Sequence, residues 1–255
     1  MIDWGRLTLI LYILMRMSGF VLFSPIFGRR NFPGIFQTGL ILVLTWTVSS
    51  FQPGAAPVPG TLVEFSVRLL LELAAGYLVG LTTQLFFYLI PQQAGEILDN
   101  QMALTMSKDY DPASQASMSV TGTLLTILTM LLFFTNNGHS TLLRILLSSG
   151  SVIPFGEAAL GKDAAAGIAQ LFIECMVLAV KLAFPVLAAE LLGQIGMGIL
   201  MKVIPQINVF SLNIELKLII GLGLLALFMA PMSEYLLDAE ERMLAAVGQM
   251  LALAG

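Results

Sequence analysis

One stretch of the chain, from residue 113 to residue 143, contains no Asp, Glu, Lys or Arg over 31 residues. An apolar stretch of this length is typical of a membrane protein. A straight membrane-spanning helix needs only about 20 residues. The stretch must therefore tilt, extend beyond the bilayer or break, and Asn136, Asn137 and Gly138 are the natural place for a break.

The composition also indicates a polytopic membrane protein. Charged residues make up 11% of the 255 residues, whereas soluble domains carry about 25%, and the mean hydropathy is +0.89. The net charge of −4, with no basic cluster beyond Arg29 and Arg30, argues against a nucleic-acid partner. The single cysteine, Cys175, permits neither an internal disulfide nor a thiolate metal site, so we expect no metal and no cofactor.

Further apolar segments predict five to seven helical segments in all. Arg29 and Arg30 predict a cytoplasmic turn after the first helix. Pro185 predicts a hinge between two separate helices, and the last strong apolar helix is expected to end near Met232. The other predicted segments are residues 7–27, 35–51, 62–90, 164–182, 184–203 and 216–232.

Charged side chains interrupt several of these apolar segments. Each would cost about 3 kcal/mol if it faced lipid at the bilayer centre, so all must face protein or water. Glu64, Arg68 and Glu72 are four residues apart, where neighbours on one helix face neutralise each other. Contacts with other subunits are favoured over a proton or solute path for the whole set, which comprises Arg16, Arg68, Glu72, Glu174, Lys181 and Glu190.

A polar segment at residues 91–112 separates long apolar segments and holds four acidic residues and one lysine. Non-helical backbone at membrane depth is tolerated only inside protein or beside an aqueous cavity. Met102 and Met106 are one helical turn apart, and methionine deforms to seal irregular spaces. Two interpretations stay open, a loop that plugs a pore and an ordinary connection outside the membrane.

Catalytic patterns are weak in this sequence. His139 is the only histidine, and neither a nucleophile elbow nor a zinc-binding His pair is present. Glu96 and Asp99 could form a carboxylate pair, although two acids on one helical turn are more typical of a solvated face. We therefore predict that the chain is not an enzyme. An intramembrane hydrolase would require His139 or Ser140 to be essential.

A specific set of residues follows in order along nearly the whole chain: Arg16, Pro25, Phe27, Gly28, Pro33, Gly95, Glu96, Asp99, Gln101, Met102, Asp111, Pro112, Gly138, His139, Ser148, Pro154, Gly156, Pro205, Gln206, Ile207, Asn208, Val209, Phe210 and Lys217. This set resembles the FliR family, the R subunit of the flagellar protein-export gate, called the T subunit in virulence type III secretion. The chain departs from the expected pattern at two places. It has Ala103 where a glycine is expected after Met102, and it lacks an expected proline near residues 213–215.

The resemblance implies an all-α membrane protein built of helical hairpins within a helical hetero-oligomeric export gate. Residues 1–184 would resemble a P subunit and residues 185–255 a Q subunit. The implied partners are the P and Q subunits, the B and A subunits, membrane lipid and the unfolded proteins that are exported. The implied location is the bacterial inner membrane, in the flagellar basal body, and no cofactor or nucleic acid is implied.

The resemblance also implies roles for particular residues. A central loop at residues 101–119 would plug the closed pore, with Gln101, Met102, Met106, Asp111 and Pro112 in the plug. The alternative function is a secondary transporter of a small solute, with Glu72, Glu174 and Lys181 binding the substrate or coupling ion. The implied structural and subunit-contact residues are Arg16, Glu72, Gly95, Glu96, Asp99, Lys181, Glu190, Pro205, Gln206, Asn208, Phe210 and Lys217.

Overall fold

A computed structural model describes residues 3–28, 32–52, 54, 56, 58–104, 109–111, 116–203 and 209–255. The chain is an all-α membrane protein, as predicted, apart from one short antiparallel hairpin of strands β1 (Asp109–Asp111) and β2 (Ala116–Met118). A π-helical segment, Leu85–Leu89, joins α3 to α4. The helices are α1 (Trp4–Phe23), α2 (Gly34–Phe51), α3 (Leu62–Gln84), α4 (Ile90–Gln101), α5 (Val120–Thr135), α6 (Gly138–Leu147), α7 (Ser149–Val152), α8 (Lys162–Val203) and α9 (Val209–Leu253).

Five helices in the described residues are long and apolar enough to cross a membrane. The pair α5 and α6 is together apolar enough to form either a broken sixth span or a re-entrant loop, with a bend of 70° between its helices. The predicted break lies at this bend, where Asn137 adopts a left-handed φ of 57° that asparagine tolerates better than most residues. The five spans are Trp4–Phe23, Gly34–Phe51, Leu62–Gln101, Lys162–Ile199 and Glu215–Leu253.

Three sequence-based boundaries are wrong because a proline or charged residues were expected to end a helix. α8 continues through Pro185 as one helix, and α9 continues through Pro231 and beyond Met232. In apolar helices, neighbouring groups can satisfy the backbone carbonyl that a proline leaves free. The segment expected to be a loop from residue 91 is helical up to Gln101, because Pro91 occupies the first turn of α4, where proline is tolerated.

The helices divide into two compact units. The first unit comprises Met1–Phe86, Asn137–Ile173 and Glu241–Gly255. Its core contains the crossing of α1 and α3, where the backbones meet at Gly19 and Gly76 with no room for a side chain at either position. Ala254 also packs into this unit, since the Ala159 N–H donates to the Ala254 carbonyl at 2.9 Å.

The second unit comprises Phe87–Asn136 and Glu174–Glu240. Phe87 and Phe133 stack edge to face with their ring centroids 4.9 Å apart, so they join the start of this unit to α5. α8 and α9 approach each other beside Gly193, where an added Cβ would lie 3.8 Å from Ile220. This unit contains the described part of the central loop, which follows α4.

Candidate functional site

The central loop begins at the end of α4. Gln101 is the last residue of the helix and is half-buried, whereas Met102 is fully buried. Asp111 lies in β1, where its backbone is paired with Ala116 of β2. Two of the predicted plug residues, Met106 and Pro112, lie outside the described residues.

Asp99 connects the two ends of this loop. Its side chain is 1% exposed, and its Oδ2 accepts a hydrogen bond of 2.6 Å from the Ser119 hydroxyl. Its Oδ1 accepts from the Thr121 N–H at 3.3 Å. Ser119 is also the N-cap of α5, because its Oγ accepts from the Gly122 N–H at 2.8 Å. The incoming helix and the outgoing helix are therefore fastened together through one carboxylate, which we call the Asp99 clamp.

Close contact of α4 and α5 supports the clamp. Gly95 lies directly against Gly122, and a side chain at Gly95 would collide with the Gly122 backbone. One turn before Gly95, the Gln92 amide donates to the Thr126 hydroxyl at 3.3 Å. Glu96, which the sequence pairs with Asp99, is half-buried on the same helix. Gly95 and Asp99 thus lie together at the helix crossing, as part of the base of the loop.

Met102 and Ala103 determine how the loop leaves α4. The Met102 side chain covers Gly221 of α9, so a methyl group at residue 221 would collide with it. Ala103 adopts a left-handed φ of 57°, a conformation that costs a non-glycine residue about 1–2 kcal/mol. The resemblance predicts glycine at this position, so the departure noted in the sequence falls where the backbone favours glycine.

A second polar cluster joins α1 to α3 inside the first unit. The Arg16 guanidinium and the Glu72 carboxylate are 1% and 0% exposed. The Arg16 Nε donates to Glu72 Oε2 at 2.6 Å, and its Nη2 donates to Oε1 at 3.1 Å. This two-point geometry is the strongest arrangement available to an Arg–carboxylate pair. Opposite charges thus compensate each other inside two helices that are apolar enough to span a membrane.

The turn after α7 completes this cluster. Arg16 Nη1 donates to the carbonyls of Ser149 and Ile153 at 3.3 and 3.0 Å, and the Phe155 ring lies 4.3 Å from the guanidinium carbon. The Gly156 N–H donates to Glu72 Oε1 at 2.7 Å. A buried ion pair stabilises a fold only when its remaining donors and acceptors are also satisfied, and here the turn satisfies them.

The predicted neutralisation along α3 is correct for one pair and wrong for the other. Arg68 pairs with Glu64 at 2.8 Å, four residues away, as the spacing indicates. Glu72 pairs with Arg16 and not with Arg68, because the Arg68 side chain reaches Glu64 and the Gly156 carbonyl. The charge of Glu72 is therefore compensated inside the chain and does not depend on another subunit.

Glu190 presents the opposite case in the second unit. It is 1% exposed, yet neither carboxylate oxygen has a hydrogen-bond partner within the described residues. Glu190, Gln194 and Lys217 are among the residues that line a cavity of about 10 Å³, which is room for about one water molecule. The Gln194 Nε2 also has no partner in this described region. The polar groups at this junction of α8 and α9 are thus incompletely satisfied.

The remaining predicted contact residues are placed as follows. Lys181 and Glu174 are exposed on α8, and Lys217 is half-buried on α9. Phe210 lies in the first turn of α9. Pro205, Gln206 and Asn208 lie outside the described residues, as do Arg29 and Arg30. No group of three or more His, Cys, Asp or Glu in the described ranges is arranged to hold a metal ion.

The sequence analysis did not identify the residues that contact the Asp99 carboxylate or those that complete the Arg16–Glu72 pair. Ser119 carries a local signal, since a serine directly before an apolar run is a typical helix N-cap. The carbonyls of Ser149 and Ile153 carry no such signal, because any residue supplies a carbonyl. Their position near Arg16 follows only from the tertiary fold.

Taken together, these features define a class of protein: a polytopic α-helical membrane protein whose described polar clusters fasten helices and a loop. Comparison with known proteins identifies the family. The chain belongs to the bacterial export proteins, family 1, whose pattern matches residues 7–243.

Several relatives match most of the chain. The flagellar biosynthetic protein FliR of Escherichia coli (strain K12) is 29% identical over 234 residues, which cover 90% of this chain and 88% of that protein. FliR of Buchnera aphidicola subsp. Baizongia pistaciae is 30% identical over 209 residues, with 80% and 79% covered. The Yop proteins translocation protein T of Yersinia pestis is 27% identical over 235 residues, with 90% and 88% covered.

These findings confirm the resemblance predicted from the sequence. The chain is a component of a bacterial type III export apparatus and an integral protein of the inner membrane. It is a structural component and not an enzyme.

Proposed function

We propose that this chain is the R subunit of a flagellar export gate, or the equivalent T subunit of a virulence system. In this role it lets unfolded proteins pass across the inner membrane, and its central loop closes the idle pore. Residues 1–184 act as a P-like part and residues 185–255 as a Q-like part. The partners are the P and Q subunits together with the B and A subunits, and the site of assembly is the flagellar basal body.

The Asp99 clamp is the observation that carries the plug role. A plug must stay at one position in the pore, so both ends of the loop need fixed anchors. Asp99 on α4 accepts hydrogen bonds from Ser119 and Thr121 at the start of α5, and Gly95 brings these helices into contact. The loop is therefore held at its base by buried groups.

The residues at the start of the loop support the same role. Met102 is fully buried against Gly221, and methionine adapts to irregular surfaces because its side chain is unbranched. The loop contains a β hairpin, β1–β2, in which Asp109 pairs with Met118. A hairpin between fixed ends occupies a defined volume, as a plug requires.

Loop shortening tests this proposal. One variant lacks residues 105–111, and a matched variant replaces the same residues with seven Gly and Ser residues; both keep Asp99, Met102 and Ser119. We expect the deletion to leave assembly intact and to make the inner membrane permeable to small solutes, measured as ion leak in cells. The length-matched variant is expected to leak less, because its backbone still fills space. Wild-type permeability in an assembled deletion variant would contradict the plug role.

A secondary transporter of a small solute is the alternative function. Glu72 is a poor coupling-ion ligand, because its carboxylate already accepts hydrogen bonds from Arg16 and Gly156. Reconstitution of the isolated chain distinguishes the two functions. Strong solute uptake by this chain alone would favour the transporter, whereas the export gate predicts none.

A further inference from the structure

One face of α8 carries side chains at the spacing of a helix-packing seam. The residues follow one another at intervals of three and four, which is the pattern that helices use when they pack along their length. All of them are exposed except Ala188, which is half-buried; Val177 is 47% exposed and Phe184 62%. We call this set the α8 seam, and its members are Glu174, Val177, Lys181, Phe184, Ala188 and Leu191.

Another side of α8 is buried within the chain. Cys175, Leu178, Leu182 and Val186 lie on it, and each follows the last by three or four residues. The helix therefore has one apolar stripe that its own chain covers and a second stripe that is largely exposed. A helix with two apolar stripes needs a second neighbour, either protein or lipid.

Two charges decide between protein and lipid. Glu174 and Lys181 are seven residues apart on the seam, a rise of about 10 Å along a helix. Neither side chain forms an ion pair within the described residues. A charge at the centre of a membrane helix is costly when it faces lipid, and a partner with opposite charge removes that cost.

We propose that the α8 seam is the docking face for one helix of a different subunit. That helix carries Lys or Arg opposite Glu174 and Asp or Glu opposite Lys181, two helical turns apart, with apolar residues between them. Seam spacing of this kind corresponds to helices that cross at about 20°. The inference rests on the proposed export-gate function. It adds the charge pattern that selects the neighbouring helix.

A second copy of this chain does not fit the seam. Two copies in one membrane share the same orientation, and a twofold axis along the membrane normal makes the two α8 helices parallel. Glu174 would then face Glu174 of the other copy, and Lys181 would face Lys181. Like charges in direct contact select against a pairing, so the charge order of the seam favours a different chain.

Charge reversal tests the proposal in the assembled complex. The tagged full-length chain is expressed in its native host with the other gate subunits, and the hetero-oligomer is recovered from membranes in mild detergent. We expect Glu174→Lys and Lys181→Glu each to lower recovery about tenfold or more, since like charges across an interface cost several kcal/mol. The controls Glu157→Lys and Lys162→Glu change exposed charges outside the seam and are expected to recover at the wild-type level.

A spin label gives a second measurement that does not depend on a disruptive variant. A nitroxide at Val177→Cys, in a Cys175→Ala background, is placed in the assembled complex. We expect it to be shielded both from oxygen, which is enriched in lipid, and from a water-soluble nickel chelate. Access to oxygen would show that lipid covers the seam, access to nickel would show that water covers it, and either result overturns the proposal.

The two proposals fail in different ways. Recovery of the wild-type chain alone, with no gate subunits, would contradict the export-gate function. An intact wild-type complex in which both charge reversals also assemble normally would overturn only the role of the α8 seam.

Discussion

Glu72 and Glu190 are both buried glutamates in long apolar helices, yet their surroundings differ completely. The Glu72 carboxylate accepts hydrogen bonds from two Arg16 nitrogens and from the Gly156 N–H. Neither oxygen of Glu190 has a partner in the described part of the chain. The first unit thus compensates its own buried charge, whereas the second unit leaves one incompletely satisfied. This difference is expected if neighbouring subunits supply the missing contacts of the second unit.

The largest effect is expected from Glu72→Gln, which leaves the Arg16 guanidinium buried without an opposite charge. Removal of one partner of a buried ion pair costs about 3–5 kcal/mol. The expected result is a large drop in the thermal unfolding midpoint of the detergent-solubilised chain. The double variant Arg16→Met, Glu72→Met is expected to regain most of the loss, because no buried charge remains. Equal loss in the single and double variants would mean that the charge pair is not the cause.

A smaller effect is expected from Asp99→Asn, since Asp99 accepts two hydrogen bonds and pairs with no cation in the described region. Hydrogen bonds to a charged acceptor contribute about 1.5–3 kcal/mol, and those to a neutral one about 1 kcal/mol. We therefore expect a loss of about 1–2 kcal/mol, with faster amide hydrogen exchange at residues 119–121. Asp163→Asn, at an exposed aspartate, is the matched control. Unchanged exchange at residues 119–121 would show that the Asp99 clamp does not fix the loop base.

The smallest effect is expected from Glu190→Gln, which makes the same chemical change as Glu72→Gln at an equally buried site. No hydrogen bond within the described residues is lost, so the unfolding free energy of the isolated chain should not fall by more than about 0.5 kcal/mol. The same thermal assay measures both variants side by side. A loss as large as that of Glu72→Gln would contradict the proposed difference between the two units.

Local sequence patterns predicted the parts of the fold that local physics determines. The uncharged stretch predicted the membrane class, Asn136–Gly138 predicted the bend, and the four-residue spacing predicted the Glu64–Arg68 pair. The pairing of Arg16 with Glu72 spans 56 residues, so no local spacing indicates it. The boundaries placed at prolines were wrong because tertiary neighbours decide whether an apolar helix continues through a proline.

The site was predictable only in part, and the departures from the family pattern were informative. Asp99 and Gly95 were selected through the resemblance, and the structure brings both to the base of the loop. Ala103 was noted only as a missing glycine, and its left-handed φ gives that observation a physical meaning. That Glu190 has no hydrogen-bond partner in the described residues could not be predicted, because it depends on which side chains of α9 lie opposite.

The Arg16–Glu72 cluster also constrains the order in which the chain can mature. Synthesis proceeds from the N-terminus, so Arg16 emerges first, Glu72 follows 56 residues later, and the Ile153 carbonyl 137 residues later. A nascent chain that stops before the turn holds the ion pair without the carbonyls and the Gly156 N–H that complete it. The Ala159–Ala254 hydrogen bond joins residue 254 to the same unit. The unit that contains α1 is therefore completed only after residue 254 has been synthesised.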